Sequence, residues 1–106
     1  MPRLADLART HGLYELLPHC FRCKDLAPAD RWENAGLCLH RAHVIDRWAG
    51  GSDLAHNLRP LCLWCHKIQP IFRLGDEAAA LAWFHTPKSA LDDICTVLER
   101  VEKRAS

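Results

Sequence analysis

Apolar and polar positions change rhythm several times along the 106 residues of this chain. Leu4, Leu7, Ala8 and Leu13 recur at near-helical intervals and predict a short N-terminal helix, broken at Gly12 and closed off by Pro18. The tract HCFRCKD then reads as a tight cysteine turn, and DLAPADRWENAG (25–36), polar with Pro and Gly, as a loop. LCLHRAHVI (37–45) is β-rich at its end and alternates loosely, which predicts a strand. WAGGSD is a turn signal, and NLRPLC predicts a second short strand, edge-type or irregular because of Pro60. A helix is expected from near Cys62 or Leu63 until Pro70 ends or kinks it. DEAAALAWF (76–84) opens on acidic residues and continues in good helix formers, predicting another helix. Pro87 starts a last one, in which Leu91, Ile94, Leu98 and Val101 form one apolar stripe expected to cover the protein's own core.

These elements predict an α+β chain folded as a single domain over 1–106, with a central unit at 20–68 and C-terminal helices at 76–104. A chain this short has a modest core and often needs a staple. Six cysteines offer one, as disulfides or as metal ligands. The N-terminal segment is amphipathic, without the continuous apolar stretch of a signal peptide. No run of about 18 apolar residues occurs, so no membrane span is expected. The expected location is the cytoplasm, where thiols stay reduced and metal is favoured over disulfide.

Cys20-x-x-Cys23 and Cys62-x-x-Cys65 are the strongest signal. Two such pairs supply the four soft thiolates that a tetrahedral structural Zn²⁺ takes. They enclose 38 residues, more than a compact zinc ribbon holds, so the metal would pin both ends of an inserted element. Cys38 and Cys95 have no such partner and read as small core residues. Cys62-Leu63-Trp64-Cys65-His66 also spells the haem-attachment pattern Cys-x-x-Cys-His. A haem would leave Cys20 and Cys23 without a role, and Met1, the only methionine, is a poor distal ligand.

The formal charge of +1 is spread as +1 over 1–29, +2 over 30–74 and −2 over 75–106, which is not the profile of a basic nucleic-acid clamp. Four thiolates on one zinc would make that site anionic. Contact with a polyanion would therefore rely on locally placed Arg and Lys or on a further cation.

His43-Val44-Ile45, Gly50-Gly51-Ser52-Asp53, Asn57-Leu58-Arg59-Pro60-Leu61-Cys62 and Cys65-His66 together resemble the HNH endonuclease family, zinc-knuckle type, with His43, Asn57 and His66 as the three letters. Their separations are 14 and 9 residues, and the resemblance covers about residues 20–68. It implies a ββα-metal fold in which Cys20, Cys23, Cys62 and Cys65 hold structural zinc and a different divalent ion, Mg²⁺, Mn²⁺ or Ni²⁺, assists phosphodiester hydrolysis in DNA. It makes His43 the general base and His66 a ligand of the second ion. Asn57 belongs to that catalytic set as the residue that bonds backbone across the hairpin and orients the base. Many family members carry an acidic residue or histidine directly before the base; this chain has Ala42, which cannot ligate. Strand alternation puts His40 on the side of Ala42, so His40 could reach the ion, with Asp46 as another option. Histidine ligands would favour softer ions than Mg²⁺.

Arg41, Arg47, Arg59 and Lys67 surround these residues in sequence and are the candidate phosphate contacts. His11, His19, His56 and His85 read as surface residues, and Trp48 and Trp64 as cover for the core. The expected partner is DNA, with no membrane; whether one strand or two is cut would depend on dimerisation or a larger complex. The alternative to an endonuclease is a zinc-knuckle module that grips nucleic acid without cutting it, and a second is a structural zinc adaptor.

Overall fold

Two short strands, β1 (Leu39–His43) and β2 (Leu58–Cys62), pair antiparallel in the computed structural model, which describes residues 1–28 and 30–86. The register sets Leu39 opposite Cys62, Arg41 opposite Pro60 and His43 opposite Leu58. Pro60 is tolerated because each strand of a two-stranded sheet has a free edge. Its carbonyl on that edge accepts from the Phe21 N–H at 2.7 Å, which ties the first cysteine turn to the sheet.

Three helices accompany the sheet: α1 (Leu4–Thr10), α2 (Leu63–Ile68) and α3 (Glu77–His85). The chain is thus α+β, with β1, β2 and α2 following one another in order. At seven residues α1 is too short to persist alone, so its stability comes from burying Leu4, Leu7 and Ala8. Each fully buried leucine contributes about 1.5–3 kcal/mol. The helix stops at a Schellman turn: the Leu13 N–H reaches Ala8 O, the Gly12 N–H reaches Arg9 O, and Gly12 takes φ +71°. Leu13 then folds back into the core.

The core joins α1 to Leu39, Ala42, Val44, Ile45, Leu58 and Leu61 of the hairpin and to Ala80 and Phe84 of α3. Part of the segment expected as a loop at 25–36 is instead a 3-10 helix, Trp32–Leu37, whose Trp32 is buried. Its indole N–H donates to Leu16 O at 2.9 Å, so a buried aromatic organised what polar neighbours had suggested was open chain. The strand expected at 37–45 is confined to 39–43. Trp48 and Trp64 do not cover the core: they are 68% and 40% exposed, and Trp32 occupies that role. The stripe Leu91, Ile94, Leu98 and Val101 lies outside the described residues, as does Cys95. No helix among the described residues is long and apolar enough to cross a membrane.

Candidate metal centre and adjoining histidine site

The first cysteine turn is a miniature hairpin. Cys20 N–H donates to Asp25 O at 3.0 Å, Lys24 N–H to Cys20 O at 3.0 Å, and Ala27 N–H to Pro18 O at 2.8 Å. Reversal of the chain there puts Lys24 at φ 63°, the left-handed region that favours glycine. The second pair sits at the β2–α2 junction. Cys62 is the N-cap of α2, and its sulfur accepts from the Cys65 N–H at 3.4 Å.

These two pairs converge. The sulfurs of Cys20, Cys23, Cys62 and Cys65 all lie within 4.8 Å of one another, and Cys23 Sγ is 3.8 Å from Cys62 Sγ. Bonds of about 2.3 Å at the tetrahedral angle would place sulfurs about 3.8 Å apart, so the quartet fits a zinc-sized ion. Its electrostatics agree. The Cys65 thiol donates to Cys20 and holds that thiol down at about 4, with backbone N–H groups of Cys23, Cys62 and Arg22 assisting against burial. Burial pushes the Cys23 thiol up to about 12, and donation to Cys20 pushes Cys65 up as well. The Cys20 thiolate thus helps to hold Cys23 and Cys65 protonated, and a divalent cation is what would let these thiols ionise together. Among the described residues this is the sole set of three or more Cys, His, Asp or Glu side chains whose ligand atoms close on one point.

The histidines expected in a second centre are partly gathered. His40 Nδ1 on β1 and His66 Nδ1 on α2 stand 2.9 Å apart, with ring planes at 80°. A pair of ligands at right angles, each about 2.1 Å from an ion, would be about 3 Å apart, so these nitrogens fit two adjacent coordination positions. Partial desolvation of the ring against its neighbours lowers the His66 pKa, the positive forms of His40 and His43 lower it further, and Asp46 opposes them. His40 and Asp46, the two options named for the ion, thus act electrostatically on His66 together with His43. Ala42 is fully buried and contributes no ligand.

His43 has a separate partner: its Nε2 is 2.8 Å from Asp53 Oδ1, and Asp53 Oδ2 is 3.5 Å from Arg47 Nε. The bond from His43 is the main reason the Asp53 carboxyl is held below its usual range. Gln69 Nε2 donates to the His43 carbonyl at 2.6 Å, fixing the backbone beneath the ring. Asp53 and Gln69 were missed in the sequence. Asp53 stood inside the Gly-Gly-Ser-Asp turn, where turn chemistry accounts for it without regard to where its carboxylate points.

Asn57 is buried, and its side chain imitates a stretch of backbone. Oδ1 accepts from Ile45 N–H at 2.9 Å, while Nδ2 donates to Ile45 O at 3.0 Å and Ser52 O at 2.8 Å. The carboxamide extends the ladder past His43 and closes the loop bearing Asp53. Gly51 is required at that closure, since a Cβ would lie 1.8 Å from Ile45 O.

Of the candidate phosphate contacts, Arg41, Arg47 and Lys67 are exposed. Arg41 lines a cleft of about 570 Å³ with Arg3, Glu33, Leu4 and Leu39, and His40 and His66 stand at its wall. Arg59 is internal. It is buried and its Nη1 lies 2.9 Å from His56 O and Leu58 O and 3.0 Å from His11 Nε2. His11 and His19, expected on the surface, are also engaged. His11 Nε2 meets Ala55 O and Leu58 O, and His19 is buried with Nδ1 on Leu17 O and its ring edge-on to Trp32. His56 and His85 are exposed.

No protein-family profile, curated protein or solved structure matches the chain.

Proposed function

We propose that this protein is a metal-dependent endonuclease of the HNH type, hydrolysing phosphodiester bonds in DNA on a zinc-stapled ββα-metal core. The observation that carries this is the convergence of His40 Nδ1 and His66 Nδ1 at 2.9 Å, with His43 at the adjoining end of β1. The amide of Asn57 supports it, because it braces the backbone after His43 as an orienting residue should. Structural zinc belongs to Cys20, Cys23, Cys62 and Cys65, whose spacing fits it.

His43 acts as general base. Its ring takes a proton from water, the water oxygen forms a bond to phosphorus, and the bond from phosphorus to the 3′ oxygen breaks. The leaving 3′ oxygen is then protonated from solvent. A divalent ion held by His40 and His66 would supply positive charge to the scissile phosphate and the departing oxygen. Two imidazole ligands favour Mn²⁺ or Ni²⁺ over Mg²⁺. Arg41, Arg47 and Lys67 contact backbone phosphates and set the strand's path without reading its sequence.

The test is nicking of supercoiled plasmid with Mg²⁺, Mn²⁺ or Ni²⁺. His43→Ala is expected to slow it by about 10²–10⁴ with the zinc retained. An unchanged rate removes His43 from the chemistry.

One observation favours a second reading, a nucleic-acid-binding module that does not cut. Only His40 and His66 converge at the second centre, and no carboxylate joins them among the described residues. That protein would retard DNA in a low-salt gel yet leave plasmid intact with every ion.

A further inference from the structure

We propose that Asp53 is a positioning residue for His43, fixing the ring's tautomer so that Nε2 carries the proton and Nδ1 is the proton-accepting nitrogen. The catalytic consequence rests on the nuclease reading above; the tautomer itself does not.

An ionised carboxylate only accepts hydrogen bonds. With Asp53 Oδ1 at 2.8 Å, His43 must therefore donate from Nε2. A neutral ring so engaged keeps its lone pair on Nδ1, the nitrogen a general base would use. The contact is more than a surface encounter, because the ring is only 18% exposed and both partners are held from behind.

On the carboxylate side, the loop is pinned on either flank of Asp53. Ser52 O accepts from Asn57 Nδ2 at 2.8 Å, the Leu54 N–H donates to Ser52 Oγ at 3.1 Å, and Gly51 packs against Ile45 O too closely for any other residue. The second carboxylate oxygen faces Arg47 Nε at 3.5 Å, which favours the ionised form. On the imidazole side, Gln69 holds the His43 carbonyl. Sequence positions 43, 47, 53, 57 and 69 thus cooperate to fix one ring. With Nε2 committed to Asp53, the lone pair of the His43 ring is left on Nδ1, while His40 and His66 meet each other through their own Nδ1 atoms.

Long-range ¹H–¹⁵N correlation spectra of the full chain, at a pH of about 8 where a histidine ring is neutral, report which ring nitrogen bears the proton. His43→Gln assigns the signal. Wild type is expected to show the Nε2–H form. Asp53→Asn, which can donate as well as accept, is expected to shift the ring towards the Nδ1–H form. In plasmid nicking the same variant is expected to lose about 10–100-fold in kcat with KM within about twofold, and Asp53→Glu to restore part of the loss. An unchanged tautomer in Asp53→Asn overturns the proposal. So does a wild-type nicking activity that Asp53→Asn leaves intact. A wild type that cuts nothing, with the tautomer shift present, would sink the nuclease reading while the hold of Asp53 on His43 stands.

Discussion

Two centres meet at the corner between β2 and α2, and they are built on opposite principles. Cys65 and His66 are consecutive residues of α2, yet the first is buried among sulfurs and the second is exposed beside His40. A helix turns about 100° per residue, so one short helix can offer ligands to both centres. The cysteine centre is closed: four sulfurs converge, and backbone N–H groups point at them. The histidine centre is open: two nitrogens converge at the wall of a cleft, and the third imidazole is tied to a carboxylate. A closed tetrahedron has no position left for substrate and can only contribute stability. An open pair leaves room beside it for further ligands at little gain to the fold.

The largest expected effect comes from breaking the closed centre. Structural zinc brings about 10–16 kcal/mol to small domains of this kind, comparable to or above the whole stability of about 5–15 kcal/mol. Cys65→Ser, or removal of metal by a strong chelator, should therefore abolish the cooperative unfolding transition seen by circular dichroism. Elemental analysis of wild type should find one zinc per chain. A well-folded, zinc-free Cys65→Ser protein would break the comparison outright.

An intermediate effect is expected at the brace between hairpin and loop. Asn57→Ala removes three hydrogen bonds and leaves the Ile45 N–H buried without its acceptor. Denaturant unfolding should register a loss of about 2–4 kcal/mol, with zinc retained. Stability near that of wild type would mean that water replaces the carboxamide.

The smallest effect on stability, and the sharpest on the comparison, is expected at the open centre. His40→Ala should alter unfolding free energy by no more than about 0.5 kcal/mol, since the side chain is exposed. It should raise the Mn²⁺ concentration that half-saturates nicking by about tenfold or more. Identical Mn²⁺ titrations for His40→Ala and wild type would show that the histidine pair is a hydrogen bond and no ligand site.

Much of this was visible in the sequence wherever the physics is local. The short span of a Cys-x-x-Cys keeps its two sulfurs close whether the chain turns back, as at Cys20 and Cys23, or starts a helix, as at Cys62 and Cys65, so two such pairs announced the quartet. The α+β class followed from a Gly-Gly turn between two β-rich runs and from helix formers at 76–84. Strand alternation had offered His40 as an option for the ion, and His40 does stand 2.9 Å from His66, although burial along β1 does not alternate: His40 is exposed and Ala42 buried. The errors fell on residues whose state depends on distant partners. Arg59 looked like a phosphate contact among neighbouring cations, but it is buried against His11, which lies 48 positions earlier. Trp32 sat in a polar tract, and its burial depends on α1 and on Leu16 O.

Sequence alone therefore determined which chemistry was at hand: thiolates in two exact-spaced pairs, imidazoles on a strand and a helix, and an amide poised between them. Those follow from residue identity and from separations of a few bonds. Tertiary structure decided which of those groups face solvent, which face one another and which merely hold the fold. The Asp53–His43 pair spans 10 residues, His40–His66 spans 26, and Arg59–His11 spans 48. Over such distances the chain's own geometry fixes nothing, and only the closing of the core brings one side chain within reach of another.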